Sequence, residues 1–273
     1  MSTTLLHLSD THFGTEQAPV VAALERLVHE CRPAVAVLSG DVTQRATHSQ
    51  FAAARAFMDR LAIAQWVVIP GNHDIPLYDL PARLFKPYGR YREVFGADLA
   101  PVVETADWLV LPHNTTRRWR HEDGEISVAQ IDATAGRFRQ AAQHSPEQLR
   151  LAVVHQPVAA PTSADRKNLL HGAQAATARW AEAGADLVLG GHIHLACVLP
   201  MQSRGDHGGR LWAVQAGTAT SSRLRGNTPN SVNLLRPEKA ADGQRGCRLE
   251  RWDFDAATAA FRLAQSDHLL LGD

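Results

Sequence analysis

Five short apolar runs in this 273-residue chain end in the same kind of chemistry, and no other feature constrains the fold as strongly. Thr3-Thr4-Leu5-Leu6-His7-Leu8-Ser9 leads into Asp10-Thr11-His12, and Ala34-Val35-Ala36-Val37-Leu38 leads into Ser39-Gly40-Asp41. Trp66-Val67-Val68-Ile69-Pro70 leads into Gly71-Asn72-His73-Asp74, and Leu149-Arg150-Leu151-Ala152-Val153-Val154 leads into His155. Leu187-Val188-Leu189 leads into Gly190-Gly191-His192-Ile193-His194, where the two glycines are expected to let the backbone turn sharply. Short apolar runs bounded by turn residues read as buried strands. In an open α/β sheet the ligand site lies beyond the carboxyl ends of the strands, so these distant endings can converge. Asp, His and Asn are oxygen and nitrogen donors that manganese, iron or zinc accept. A single Gly-His-x-His is an ordinary loop; five such endings together point to a metal site.

The segments between the runs supply the rest of an α/β fold. Residues 18–30 place Val20, Val21, Leu24, Leu27 and Val28 on one helical face, and Pro33 stops that helix. Residues 47–61 do the same with Phe51, Ala54, Phe57, Met58 and Leu61. The resulting β-α-β-α-β order predicts a parallel sheet with right-handed crossovers. Residues 75–100, rich in Pro, Tyr, Phe and Arg, read as an excursion with one short helix. Short strands are expected at 102–104 and 108–111, a helix at 127–143 with Ser127 as its cap, and another helix within 167–183. Beyond His194 helical periodicity disappears, and strands at 195–199, 211–215, 231–235, 247–254 and 259–264 suggest a meander. The expectation is two sheets packed face to face with helices outside. With no linker or internal repeat, residues 1–273 read as one domain, with the motifs within 10–194 and a β-rich part at 195–273.

Composition excludes several functions. Lys plus Arg and Asp plus Glu are both 28, so no general attraction to nucleic acid or anionic lipid is expected. The three cysteines have no metal-ligand or disulfide-framework spacing, which fits a reducing compartment and structural thiols. No segment resembles a leader peptide or approaches the ~18 apolar residues of a membrane span, so a cytoplasmic location without membrane association is expected. Of 14 histidines only His12, His73, His155, His192 and His194 fall at strand ends.

Asp10/His12, Gly40-Asp41, Gly71-Asn72-His73-Asp74, the isolated His155 and Gly191-His192-Ile193-His194 occur in the order of the calcineurin-like metallophosphoesterases, which this chain resembles. The spacing and the ending Ala216-Gly217-Thr218-Ala219-Thr220-Ser221 are most similar to bacterial phosphodiesterases of the cyclic-nucleotide and glycerophosphodiester type. The resemblance implies a four-layer αββα sandwich of two mixed β-sheets flanked by helices. It also implies two divalent or mixed-valence transition-metal ions, manganese or iron foremost, with zinc or cobalt also suited. One would be held by Asp10, His12, Asp41 and His194 and the other by Asp41, Asn72, His155 and His192, with Asp41 bridging. His73 would face the phosphate and assist the leaving oxygen, Asp74 would orient the His73 ring, and a hydroxide held by both metals would attack a small phosphodiester. Many relatives carry a second His after the isolated one; here Gln156 takes that place, which bears on substrate contacts and not on the metals. Arg223 and Arg225, beyond the 218–222 run, are candidates to grip substrate oxygens. Alternatives are a phosphomonoesterase or a DNA nuclease of the same superfamily, the latter disfavoured by the neutral charge, and a non-catalytic scaffold, disfavoured because no ligand is lost. The excursion or the carboxy-terminal hairpins could pair two chains into a homo-oligomer.

Overall fold

The computed structural model describes residues 3–201, 211–239 and 243–271. Strands β1 (Leu5–Leu8), β2 (Val35–Leu38) and β3 (Gln65–Val68) alternate with helices α1 (Ala18–Cys31) and α2 (His48–Leu61). The strands pair in parallel, Leu5 with Val35 and Val35 with Gln65, which is the expected crossover unit. Thr47 caps α2 by accepting from the Gln50 amide at 3.2 Å. Residues 75–100 hold two short helices where one was expected, α3 (Leu80–Phe85) and α4 (Gly89–Phe95). Pro87 separates them because its ring and missing N–H cannot continue a helix.

The chain then builds a second sheet from β4 (Val103–Glu104), β5 (Trp108–Pro112), β6 (Leu149–Val153) and β7 (Leu187–Gly190), with α5 (Val128–His144) and α6 (Ala173–Glu182) between them. Ser127 caps α5 in a reciprocal box with Gln130. The strands that follow are β8 (Cys197–Met201), β9 (Leu211–Gln215), β10 (Ser231–Lys239), β11 (Arg245–Asp255) and β12 (Ala260–Leu270). They do not form one meander. β8 and β9 extend the second sheet, whose order is β4-β5-β6-β7-β9-β8, while β10 to β12 return to the first, ordered β12-β11-β10-β1-β2-β3. β10 lies antiparallel beside β1, on the edge that β2 and β3 leave open. The two sheets are therefore not the two halves of the chain.

Side-chain alternation sets the layers. Leu5, Val35, Val37 and Val67 face Trp108, Leu151, Leu187 and Val214 in the core between the sheets. Leu6, Leu8, Ala36 and Leu38 point the other way, against Leu24, Phe51 and Phe57 of α1 and α2. On the far side Leu109, Ala152 and Val188 pack on Ile131, Phe138 and Trp180 of α5 and α6. The result is the expected αββα sandwich with two mixed sheets. No helix among the described residues is long and apolar enough to cross a membrane. Cys31, Cys197 and Cys247 are free thiols.

A buried ion triad ties the sheets together away from the strand endings. Asp186, just before β7, accepts from the Arg150 amide at 2.8 Å and lies 3.4 Å from Arg150 Nε, and Arg245 of the other sheet donates to it. Burial pushes the Asp186 carboxyl up, opposed by the two guanidinium groups. Removing the shared anion strands two buried cations. Asp186→Ala is therefore expected to destabilise the fold by about 3–5 kcal/mol, read as a lower midpoint in urea; an unchanged midpoint would refute the assignment of the triad as a cross-sheet tie.

Candidate metal centre

All five endings emerge at the carboxyl ends of parallel strands, β1, β2 and β3 in one sheet and β6 and β7 in the other. Because the sheets face each other, these ends lie side by side. The fit is tight enough that side chains would not fit at two glycines. A Cβ on Gly71 would sit 2.1 Å from the Asp41 amide nitrogen, and one on Gly191 would sit 1.8 Å from Ser9 Oγ and 2.5 Å from Asp10 Oδ2. Gly191 thus provides room for Asp10, whereas the sharp turning expected of the glycine pair is made by the ligand-type residues themselves. His192 and His194 have φ of 74° and 56°, and Asp10, His12 and Asp41 have 54°, 43° and 48°. Left-handed backbone is costly for residues with a Cβ and persists where the surroundings fix it, often at functional sites.

Two donor sets result. In the first, His194 Nε2 is 3.3 Å from Asp10 Oδ1 and 3.2 Å from His12 Nε2, which in turn is 3.6 Å from Asp41 Oδ2. In the second, His155 Nε2 is 3.3 Å from Asp41 Oδ1 and 3.2 Å from Asn72 Oδ1, and His192 Nδ1 is 3.1 Å from the same Asn72 oxygen. The ligand atoms of Asp10, His12, Asp41 and His194 all lie within 4.8 Å of one another, as do those of Asp41, His155 and His192. One oxygen of Asp41 faces each set.

The donor chemistry fits a cation in each. Asp10 Oδ1 is buried without a hydrogen bond, with His194 Nε2 and His12 Nε2 at 3.3 and 3.7 Å. Burial lowers His12 to about 3 and His192 to about 4, which favours the neutral imidazole that a cation requires. Burial opposes ionisation of Asp41, yet His155 and His73 hold its carboxyl well below the usual range. His155 moves the other way, to about 9 against its own burial, because Asp41 lies beside it. Metal binding at such donors displaces protons. Carbonyls orient two of the rings from behind: His155 Nδ1 donates to Ser39 O at 2.8 Å, and His194 Nδ1 donates to Arg223 O.

His73 stands beside these sets, its ring edge-on to His12 with centroids 4.8 Å apart. Its Nδ1 donates to the Gln44 carbonyl at 3.0 Å, so Nε2 is the acceptor and takes an N–H from Arg223 Nη1 at 3.0 Å. Asp74 does not orient this ring. Its carboxylate accepts from the amides of Val42, Thr43 and Gly71 at 3.0, 2.8 and 2.9 Å and from the Thr43 hydroxyl at 2.8 Å, fastening the loop after β2 to the loop after β3. The reason is geometric: in the 3-10 turn Asn72–Asp74 the Asp74 side chain points back into the protein while His73 points out. Arg223 and Arg225 both line the cavity in front of the donor sets, but Arg225 is 2.7 Å from the buried Asp165 carboxylate. Gln156 is buried, accepting from Thr115 Oγ1 at 2.7 Å and donating to Glu122 O at 3.1 Å, so it anchors a loop. Gln44 and Glu122, which also line the cavities here, carry no signal in periodicity or motif.

Residues 3–196 match the family described as calcineurin-like phosphoesterase. No curated protein is similar enough to count as a match. Among solved structures, the fold is similar to a dimetal phosphatase from Danio rerio at 12% identity and TM-score 0.67, covering 98% of this chain and 99% of that one. It is also similar to a purple acid phosphatase from yellow lupin (Lupinus luteus) seeds at 11% identity and TM-score 0.73, where 99% of this chain spans 54% of that protein. Vacuolar protein sorting 29 from Cryptosporidium parvum matches at 13% identity and TM-score 0.52, with 98% of each chain covered. At these identities the likeness is of fold.

Asp41→Asn is expected to lower metal content at both donor sets, because each loses a charged oxygen of the same carboxylate. Elemental analysis of the purified protein tests this; loss of a single ion, with the other retained in full, would show that Asp41 serves one set alone.

Proposed function

The chain belongs to the calcineurin-like phosphoesterase family, and from that premise we propose that it is a phosphodiesterase acting on a small diester, such as a cyclic nucleotide or a glycerophosphodiester. The family is one of metal-dependent phosphoric ester hydrolases with two metal ions. Asp10, His12, Asp41 and His194 would hold one cation and Asp41, Asn72, His155 and His192 the other, with manganese or iron best suited to these mixed oxygen and imidazole donors. Such a pair supplies positive charge for the phosphoryl oxygens and acidifies water enough to provide a nucleophile near neutral pH.

The observation that carries the diester reading is the shape in front of these residues. A cavity of about 420 Å³, lined by Asp41, His192, His194 and Arg225, adjoins one of about 290 Å³, lined by Gln44, Ile75, Leu77 and Arg83. Asn72, His73, Glu122 and Arg223 line both. A phosphoryl group at this shared rim has room for a substituent on each side, and a diester has two where a monoester has one. Arg223 adds a fixed guanidinium at the rim, with Nη1 donating to Gln44 Oε1 at 3.1 Å and to His73 Nε2. It grips a phosphoryl oxygen as it exchanges the imidazole for the substrate. With Nδ1–H retained by the Gln44 carbonyl and Arg223 turned to the substrate, His73 Nε2 takes a proton from solvent, passes it to the departing ester oxygen and returns to the neutral imidazole. Asp74 acts through the backbone, keeping the Asp41 and Asn72 loops in register.

A phosphomonoesterase is the second reading, and the names of the Danio and lupin structures favour it. A monoester dianion would bind the same cations more tightly, but tighter ground-state binding does not raise turnover.

Two results are expected. His73→Ala should retain its metal and lose roughly 10²–10⁴-fold in kcat; joint loss of metal and activity would make His73 structural. With manganese supplied, kcat/KM should be higher for bis(p-nitrophenyl) phosphate than for p-nitrophenyl phosphate, which carries the same leaving group. The reverse order would establish the monoesterase reading.

A further inference from the structure

The smaller cavity is cationic in a way that hydrolysis of a simple diester does not require. Arg45, Arg83 and Arg223 line it with His121, over an apolar floor of Ile75 and Leu77. Three arginines nearby are neutralised: Arg90 lies 2.5 Å from Asp79, Arg120 is 2.9 Å from Glu125, and Arg225 pairs with Asp165. No ion pair among the described residues includes Arg45, Arg83 or Arg223. Glu122 is the one carboxylate of the lining, and it lies 3.5 Å from His121 Nδ1 at the exposed mouth.

The guanidinium groups are also positioned. Arg83 Nη1 donates to Pro76 O at 3.3 Å and Nη2 donates to Arg120 O at 2.9 Å, which fixes the fork and leaves further N–H donors unused. Arg45 stacks over the Tyr78 ring, 5.4 Å from its centroid. A set of ordered guanidinium groups without carboxylate partners is an arrangement suited to phosphate oxygens.

Resting on the diesterase reading above, we propose that this cavity is a subsite for a second phosphate, carried on one of the two groups esterified to the scissile phosphate. The substrate would then be a phosphodiester with a further phosphoryl group, as in a phosphorylated nucleotide or sugar diester, oriented with that group toward Arg45 and Arg83. Arg83, half-buried and held by two carbonyls, supplies the geometry; Arg45, more exposed and more readily screened by salt, supplies attraction.

Binding to the metal-loaded protein separates this from the reaction. Adenosine 5′-monophosphate and adenosine 3′,5′-bisphosphate serve as probes in calorimetry at a fixed, moderate salt concentration. The bisphosphate is expected to bind about tenfold or more tightly, as one additional charge-assisted contact gives. Arg45→Glu and Arg83→Ala should each reduce that ratio, and the double variant should bring it close to one. Arg83→Lys should restore part of it, which a loop collapse caused by Arg83→Ala would not explain. Equal binding of both probes by the unaltered protein, or a preference that survives the double variant, overturns the proposal. Arginine-dependent preference in a protein that hydrolyses no diester would support the subsite while overturning the reading of the reaction; diester hydrolysis without the preference does the reverse.

Discussion

The Asp41 carboxylate is the contact on which the rest of the centre depends. It is almost fully buried, its Oδ2 faces His12 and its Oδ1 faces His155, and its Oδ1 also accepts from the His73 amide at 2.8 Å. A buried anion is tolerated only with strong partners. Here the partners are imidazoles, and their protonation follows the arrangement: His155 is driven up by Asp41 while His12 and His192 are driven down by burial. Positive charge is thus required between the donors, as protons or as cations. A pair of cations satisfies both carboxylates at once and leaves no imidazole to carry a buried proton.

Holding seven donors at this separation puts five of them in left-handed backbone, and the surroundings absorb that strain. Four of these are tied by backbone bonds to a neighbouring loop, since the Asp10 amide donates to Gly40 O, the His12 amide to Asp41 O and the His192 amide to Asp10 Oδ2, while His194 is held through its ring to Arg223 O. Asp74 adds three bonds that join the loops carrying Asp41 and Asn72, and a fourth within its own turn. Burial and the nearby Asp41 charge push the Asp74 carboxyl up, to about 7, against those four donors. Its proximity to Asp41 is therefore a cost that the loop geometry imposes.

Much of this was legible in sequence, and the limits have physical causes. The strand endings, the crossover unit and the caps at Thr47 and Ser127 are local, written in runs of neighbouring residues. Sheet membership of β10 to β12 is not local. Pairing of Leu5 with Leu235 spans the chain, and the exposed run 262–266 gives β12 no apolar alternation, so the sequence marks only the start of that strand. The role of Asp74 is hidden from the sequence for a similar reason. Its position next to His73 in sequence suggested contact with that ring, but adjacent residues in a tight turn point in different directions. The true support of His73 is the carbonyl of Gln44, a group that every residue has and no motif marks. Its place after a strand marks Arg223 as a candidate, yet its contact with His73 Nε2 is visible only in three dimensions.

The metal-ligand residues and part of the smaller cavity's wall belong to different parts of the fold, which lets that wall vary without the donors. The donors stand on strand ends braced by both sheets. Ile75, Leu77 and Arg83 of the smaller cavity come from the 75–100 excursion and His121 and Glu122 from the 114–124 loop, two segments fastened independently of the donors. Tyr91 donates to Val68 O at 2.8 Å beneath β3, and its ring meets Phe51 edge-on at 6.0 Å, so α4 is anchored in the core of the first sheet. Tyr88 reaches across to Thr116, bonding its hydroxyl at 2.8 Å and its carbonyl at 3.0 Å, and Arg83 reaches to Arg120 O. Gln156 then holds the loop from below through Thr115 and Glu122. Loops on a rigid scaffold are where specificity is set. In this chain the excursion reaches the reacting site only through cavity lining, so the same strand-end donors framed by a different excursion would keep their chemistry and accept a different ester.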